Sequence, residues 1–197
     1  MSSGSPDGDR ATADVSVRPA RASDAAAMAE VQLETWRALY ADVLPAPVLD
    51  GLSAAEVEAS WQEAVTAPPS ALHAVFVALH AGRLVGFAAA GPANSDAVGS
   101  DEPTHGDGEL LELLVGPGFQ QAGHASRLLA AVVDHLETSG STHIVTWRLA
   151  GDDAARRFFT SAGWAPDGAR RTLDADGEPV EQIRLHTSIG VSVTALR

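Results

Sequence analysis

The chain of 197 residues has no cysteine, and its basic residues are 13 arginines with no lysine. Without cysteine there is no disulfide framework, no thiolate nucleophile and no Cys-type zinc or iron–sulfur site. Without lysine, Schiff-base chemistry and the phosphate-binding lysine of P-loops are excluded. Aromatic residues make up only 5%, and Tyr40 is the single tyrosine. No run approaches the ~18 apolar residues that a membrane-spanning helix needs. Residues 1–14 are small and polar, rich in Ser, Gly and Asp, with nothing that reads as a signal peptide. The expectation is a disordered tail over 1–14 and a soluble, cytoplasmic protein without a membrane partner. The lack of lysine, with abundant Ala, Arg and Gly, points to a GC-rich bacterial genome.

What is present is ordinary globular composition, 45% hydrophobic and 20% charged, enough to bury one core. The formal charge of −13 is uneven: residues 1–119 carry 5 Arg against 17 Asp and Glu, and residues 120–197 carry 8 against 9. Nucleic acid is not an expected partner, because affinity for its backbone comes from cationic side chains. The asymmetry suits an anionic ligand on the C-terminal half and a cationic one on the acidic half. Acidic loops that serve only solubility are the plain alternative.

Hydrophobic periodicity and cap chemistry predict the elements. A strand at Val15–Arg18 leads to a helix that starts near Ser23-Asp24 and carries Met28, Val31, Thr35 and Leu39 to about Tyr40. A second helix opens at Ser53-x-x-Glu56, a reciprocal capping signal, with Val57, Trp61 and Val65 on its buried face. The runs His73–Leu79 and Leu84–Ala90, joined through Ala81-Gly82, predict a hairpin. Gly91–Gly108 reads as a long loop, a cover for an acceptor or only a connection. A strand at Glu109–Val115, a helix through Leu128–Leu136 and a strand at His143–Leu149 follow. A short helix capped by Asp152 or Asp153 turns Ala155, Phe158 and Phe159 inward, and strands at Trp164–Leu173 and Val180–Thr187 end the domain. The order β-α-α-β-β-β-α-β-α-β-β is a mixed α/β single domain.

Between the Glu109–Val115 strand and the next helix lies Gly116-Pro117-Gly118-Phe119-Gln120-Gln121-Ala122-Gly123-His124-Ala125. A helix N-terminus has unpartnered N–H groups and a positive dipole end, so a phosphate fits there without lysine. Small residues at 123 and 125 would let phosphate approach the amides; they would equally serve close packing of the helix on a sheet.

Gln120-x-x-Gly123-x-Ala125, following Val115-x-Pro117, resembles the [RQ]-x-x-G-x-[GA] acyl-CoA loop of the GNAT superfamily of N-acetyltransferases. Asp152-Asp153-Ala154-Ala155-Arg156-Arg157-Phe158-Phe159 through Gly163-Trp164 is similar to that family's N-x-x-A-x-x-F-Y-x-x-x-G-[FW] helix. The resemblance spans roughly residues 15–187. It implies the GNAT fold over 15–190: a mixed, mostly antiparallel central sheet of about six or seven strands flanked by about four helices. It also implies acetyl-CoA as co-substrate, direct attack by an amine in a ternary complex, and a small-molecule amine, cationic by the charge asymmetry, as acceptor. A homodimer accords with the family. A degenerate member that binds acyl-CoA as a sensor or scaffold is the alternative.

Residue by residue, the resemblance implies that Leu113, Leu114 and Val115 pair with the pantetheine arm. It places the pyrophosphate on the loop amides from Gln121 and Ala122 through Gly123, His124, Ala125 and Ser126, beside Gln120. The His124 side chain touches phosphate or turns to solvent; Ser126 donates to phosphate or caps the helix. Asp152 stands where the family has asparagine, either bonding the cofactor arm or acting as a plain N-cap. Ala155, Phe158 and Phe159 adjoin the cofactor, and Phe159 replaces a frequent tyrosine acid that a phenyl ring cannot mimic. Trp36 and Tyr40 line the acceptor pocket or pack an amphipathic helix, and Tyr40 is the candidate proton donor. Glu109, eleven residues before Gln120, sits where histone-acetylating relatives carry a catalytic glutamate and is the preferred base; its alternative is a strand-end carboxylate holding an arginine. Strand alternation puts Glu112 on the opposite face. The seven histidines lack ligand spacing, so no metal is expected.

Overall fold

A computed structural model of the chain describes residues 15–39, 51–93, 108–175 and 177–189. Along these residues run β1 (Val15–Pro19), a 3-10 turn (Ala22–Asp24) that continues into α1 (Ala25–Leu39), α2 (Ala54–Thr66), β2 (Ala74–His80), β3 (Arg83–Pro92), β4 (Gly108–Val115), α3 (His124–Thr138), β5 (His143–Leu149), α4 (Asp153–Ser161), β6 (Ala165–Ala175) and β7 (Glu178–Ser188). The predicted order holds. The seven strands form one mixed sheet, β1-β2-β3-β4-β5-β7-β6, antiparallel at every junction but β4–β5. Gly91 and Pro92 belong to β3 and Gly108 opens β4, so the predicted loop is shorter at both ends; its residues 94–107 lie outside those described.

Local chemistry starts the elements. Ala81 and Gly82 both take positive φ, 48° and 81°, the mirror-image turn whose twist suits a two-residue hairpin. The Ser53 hydroxyl accepts from the Glu56 amide at 3.4 Å and Asp152 accepts from the Ala155 amide at 2.8 Å, each satisfying an orphan donor of a helix start. Asp24 accepts from the Arg21 amide at 2.7 Å and from both terminal nitrogens of Arg18 at 2.6 and 2.9 Å. That arrangement ties β1 to the start of α1. The hydrogen bond from Arg18 holds the Asp24 carboxyl below the usual carboxylate range.

The sheet buries one core on each face. Leu110, Ile144 and Leu185 meet Leu128, Val132 and Leu136 of α3 together with Phe159 and Trp164. On the other face Val77, Phe87 and Leu114 meet Met28 and Val31 of α1. Each large apolar side chain buried this way stabilises the fold by roughly 1.5–3 kcal/mol. The second helix departs from expectation: α2 has no fully buried residue, and Val57, Trp61 and Val65 are only half-buried. It packs on α1 and the 3-10 turn rather than beneath a further layer. Its anchor is Trp61, set edge-on against Phe87 at 4.7 Å, with its indole N–H donating to Gln32 Oε1 at 2.6 Å. No helix among the described residues is long and apolar enough to cross a membrane.

Two irregularities position the site. In the β3–β4 register Ala89 faces Glu112 while Ala90 faces Leu110, so Leu111 is an inserted residue, a β-bulge. The parallel β4–β5 pairing consists of Gly108↔Ile144 and Glu109↔Val145, and beyond it the two strands part. Where the ladder stops, the buried Thr146 hydroxyl donates to the Leu110 carbonyl at 2.8 Å.

Candidate active site

The parted strands open a cleft of about 450 Å³. One wall is Leu113, Leu114 and Val115 of β4; the other is Asp152, Ala155, Phe158 and Phe159 of α4, with Gln120 and Ala125 at the loop end. The sequence motifs thus converge on one hollow. Gln121 at φ 62° and Gly123 at φ 77° curl the loop. Gly123 is the N-cap of α3 and makes no side-chain cap bond, which leaves the first-turn amides of α3 without side-chain partners. The Arg127 Nη1 folds back to donate to the Gly123 carbonyl at 3.1 Å, and a Cβ at position 123 would stand 2.6 Å from it.

The loop residues differ in burial. Gln121, Ala122 and Ser126 are exposed, and Ser126 borders a separate hollow between α3 and α4. His124 is 1% exposed, packed under the loop with its ring centroid 5.4 Å from His80 and 6.5 Å from Phe119. Its imidazole therefore reaches neither the loop mouth nor solvent. Both expectations for that side chain are corrected: the ring fills an aromatic pocket, and only its main-chain amide belongs to the loop. Burial, with the charges of His80 and Arg127 adding to it, holds this imidazole below the ordinary histidine value. Asp152 is engaged as the α4 cap and also lines the cleft. Phe159 is buried between Phe158 and Trp164, at 5.2 and 5.3 Å.

A second cleft, about 300 Å³, is lined by Trp36 of α1, Glu109, Leu111 and Glu112 of β4, Trp147 and Arg148 of β5, and residues of β6 and β7. Trp36 is among the residues that line this cleft. Glu109 is buried, with 5% exposure, and its charge acts on Arg171. The Arg171 Nε donates to Gln182 Oε1 at 2.6 Å, and its guanidinium covers the Trp147 ring at 4.4 Å; burial pulls that guanidinium below the ordinary arginine value. The expectation for Glu112 is overturned. The bulge at Leu111 cancels one step of alternation, so Glu109 and Glu112 both border this cleft. Glu112 Oε1 accepts from the Leu113 amide at 3.0 Å and stands 3.5 Å from Arg148 Nη1. Tyr40 lies outside the described residues.

Residue 148 was missed by sequence reading. Arg148 lines both clefts, its side chain is 11% exposed, and its guanidinium lies over the Phe159 ring at 5.1 Å. An available signal was an arginine set between Trp147 and Leu149 in a central strand. Thr35, whose sequence signal is only helix spacing, has a buried hydroxyl with no partner and lines the first cleft. Among the described residues the large hydrophobics left exposed are Leu39, Leu111 and Leu173. All three rim a cleft, Leu39 the first and the other two the second.

Comparison with known proteins decides the family. Residues 33–164 match the model of the acetyltransferase (GNAT) family. The chain belongs to the GNAT acetyltransferases. An uncharacterized N-acetyltransferase of Bacillus subtilis, YuaI, is 31% identical over 134 residues, covering 68% of this chain and 70% of that protein. Among solved structures, the PaiA N-acetyltransferase from Thermoplasma acidophilum in complex with coenzyme A superposes with a TM-score of 0.67 at 15% identity, covering 89% of this chain and 99% of that one. The putative acetyltransferase yncA from Salmonella typhimurium with its cofactor acetyl-CoA gives 0.65 at 19% identity, covering 89% and 94%. These likenesses show the GNAT fold, a seven-stranded mixed sheet with four helices in one domain. The protein is accordingly an N-acetyltransferase by family.

Proposed function

We propose that this GNAT enzyme binds acetyl-CoA in the first cleft and transfers the acetyl group to the primary amine of a small acceptor in the second, with residues 15–190 as the catalytic unit. The observation that carries the reading is the end of β4–β5 pairing at Glu109↔Val145. Past that point the β4 backbone lacks a partner strand on its β5 side, and an amide-bearing pantetheine arm completes it. The fit continues at the loop, where uncapped amides of α3 suit a pyrophosphate.

The acceptor amine arrives as a cation, since a free alkylammonium has a pKa of about 10.4. Glu109 takes its proton directly or through one water. The freed amine attacks the thioester carbonyl carbon, which the β4 amides polarise. A C–N bond forms and the C–S bond breaks; the nitrogen sheds its second proton, and the departing thiolate gains one, relayed through Tyr40 or water. Phe159 offers no proton. That feature favours a second reading, a silent acyl-CoA sensor with the same fold.

Isothermal titration with acetyl-CoA tests the proposal, with Ala125→Glu as the control. Ala125 lies in the cleft without a positive φ, so the variant adds a carboxylate at the phosphate position without backbone strain. Saturable binding by the wild type should weaken at least about a hundredfold, since like-charge juxtaposition costs several kcal/mol. Absence of wild-type binding sinks the reading. Binding without CoA release across a broad panel of primary amines selects the sensor.

A further inference from the structure

Resting on that reading, we propose that Arg148 selects the acceptor by binding a carboxylate carried beside the reactive amine, so that the preferred acceptors are amino carboxylates. The residue stands at the junction of the two clefts, where acyl carbon and amine must meet. Its fork is incomplete. One terminal nitrogen stands 3.5 Å from Glu112 Oε1 and one face rests on Phe159, but Nε and Nη2 are buried with no partner. A guanidinium stays charged and presents its N–H donors in a fixed planar fork suited to a carboxylate. Buried donors of this kind are normally satisfied, and a charged one left bare is destabilising until an acceptor arrives.

The neighbouring arginine supplies the contrast. Arg171, in the same cleft, has its Nε bonded to Gln182 and the Glu109 charge nearby. One guanidinium is already engaged and the other has donors to spare. Around Arg148 the cleft sets Glu109 and Glu112 on one strand, with Trp36 and Trp147 as apolar surfaces. The third acid at the rim, Asp174, is occupied by the Gly177 amide at 2.6 Å. Carboxylates for an ammonium and a guanidinium with two unpartnered nitrogens for a carboxylate describe a zwitterion rather than a polycation. A dicarboxylic acyl chain in the first cleft would offer Arg148 the same carboxylate chemistry, and the experiment separates the two sources.

The test begins with acetyl-CoA titration of the wild type, which decides the underlying reading by itself. CoA release is then measured for matched pairs: L-phenylalanine against phenethylamine, L-tryptophan against tryptamine, and β-alanine against ethylamine. The amino carboxylate of at least one pair should exceed its amine about ten- to hundredfold in kcat/KM, the usual range for one charge-assisted contact. Arg148→Met should erase that ratio and Arg148→Lys restore part of it, since the charge returns without the fork. The ratio is taken within one protein, so a loss of folded fraction leaves it unmoved. Equal or better turnover of the amines, no turnover of any pair by protein that binds acetyl-CoA, or a preference that survives Arg148→Met overturns the proposal. So does an Arg148-dependent preference for succinyl-CoA over acetyl-CoA, which would put the carboxylate on the acyl chain.

Discussion

The two clefts flanking the parted strands are made by different means. The first is framed mostly by main chain and small or apolar side chains, with Arg148 and Asp152 among them: the unpaired edge of β4, the curled loop before α3 and the face of α4. The second is framed by large and charged side chains delivered from α1, β4, β5, β6 and β7. A ligand gripped by peptide groups constrains the sequence at a few small residues in fixed order. A ligand gripped by side chains from scattered strands leaves no compact signature. The difference explains why the proposed cofactor can be read from a motif while the acceptor has to be argued from geometry.

The comparison can be broken most sharply at Glu109, which borders the second cleft only. Glu109→Gln should lower kcat about a hundredfold or more, the low end for losing a general base, while acetyl-CoA affinity by titration stays within error. The deficit should narrow toward alkaline pH as the amine deprotonates unaided. Full activity across that range would remove Glu109 from proton transfer. A smaller effect sharpens the main-chain character of the first cleft. Gln121 holds a left-handed φ of 62°, a conformation that costs a non-glycine residue roughly 1–2 kcal/mol. Gln121→Gly should therefore raise the unfolding free energy by about 1 kcal/mol in a urea titration; an unchanged midpoint would mean the loop carries no such strain.

The smallest effect concerns the imidazole beneath that loop. His124 has its folded pKa pushed below the ordinary value, so the unfolded chain takes up the proton first as pH falls. Its contribution is fully present above about pH 6.5, the unfolded value, and is lost as pH drops from there toward the depressed folded value. Thermal midpoints measured from pH 7.5 downward should decline in this window, and His124→Phe should flatten that part of the curve. Asp24, whose folded pKa is also lowered, gives up its share only in a more acidic window, below the ordinary carboxylate value of about 3.9. A profile equally steep in the His124 variant would show that another group sets the slope.

Much of the fold was legible because local chemistry and periodicity agree. Ala81-Gly82 fixed a hairpin, Ser53 and Asp152 fixed helix starts, and the apolar stripe of α3 placed it on the sheet. The motifs at Gln120–Ala125 and Asp152–Phe159 placed the first cleft for the same reason: each is a contiguous stretch in a set local geometry. The bulge at Leu111 was not legible, since a period of two carries no mark of one inserted residue, and Glu112 was assigned to the wrong face as a result. Arg148 escaped because a charge within a strand reads as outward-facing unless the strand's neighbours are known to part. His124 escaped because the ring pocket that buries it joins Phe119 to His80, a residue on β2 that no local pattern links to the loop.

The junction of β4 and β5 has a mechanical meaning as well. The sheet is two leaves, β1–β4 and β5–β7–β6, fastened at one end by two facing residue pairs and a single threonine hydroxyl, with the Glu112–Arg148 ion pair across the gap. A ligand lying along the open margin would be a further fastener, bonded to both leaves where the two strands share no ladder. Main-chain amides on this margin that β3, β7 and Glu112 leave unengaged would then exchange with solvent as an edge does in the free protein and as an interior does once loaded. With such a ligand the fold would gain sheet bonds that it cannot make alone.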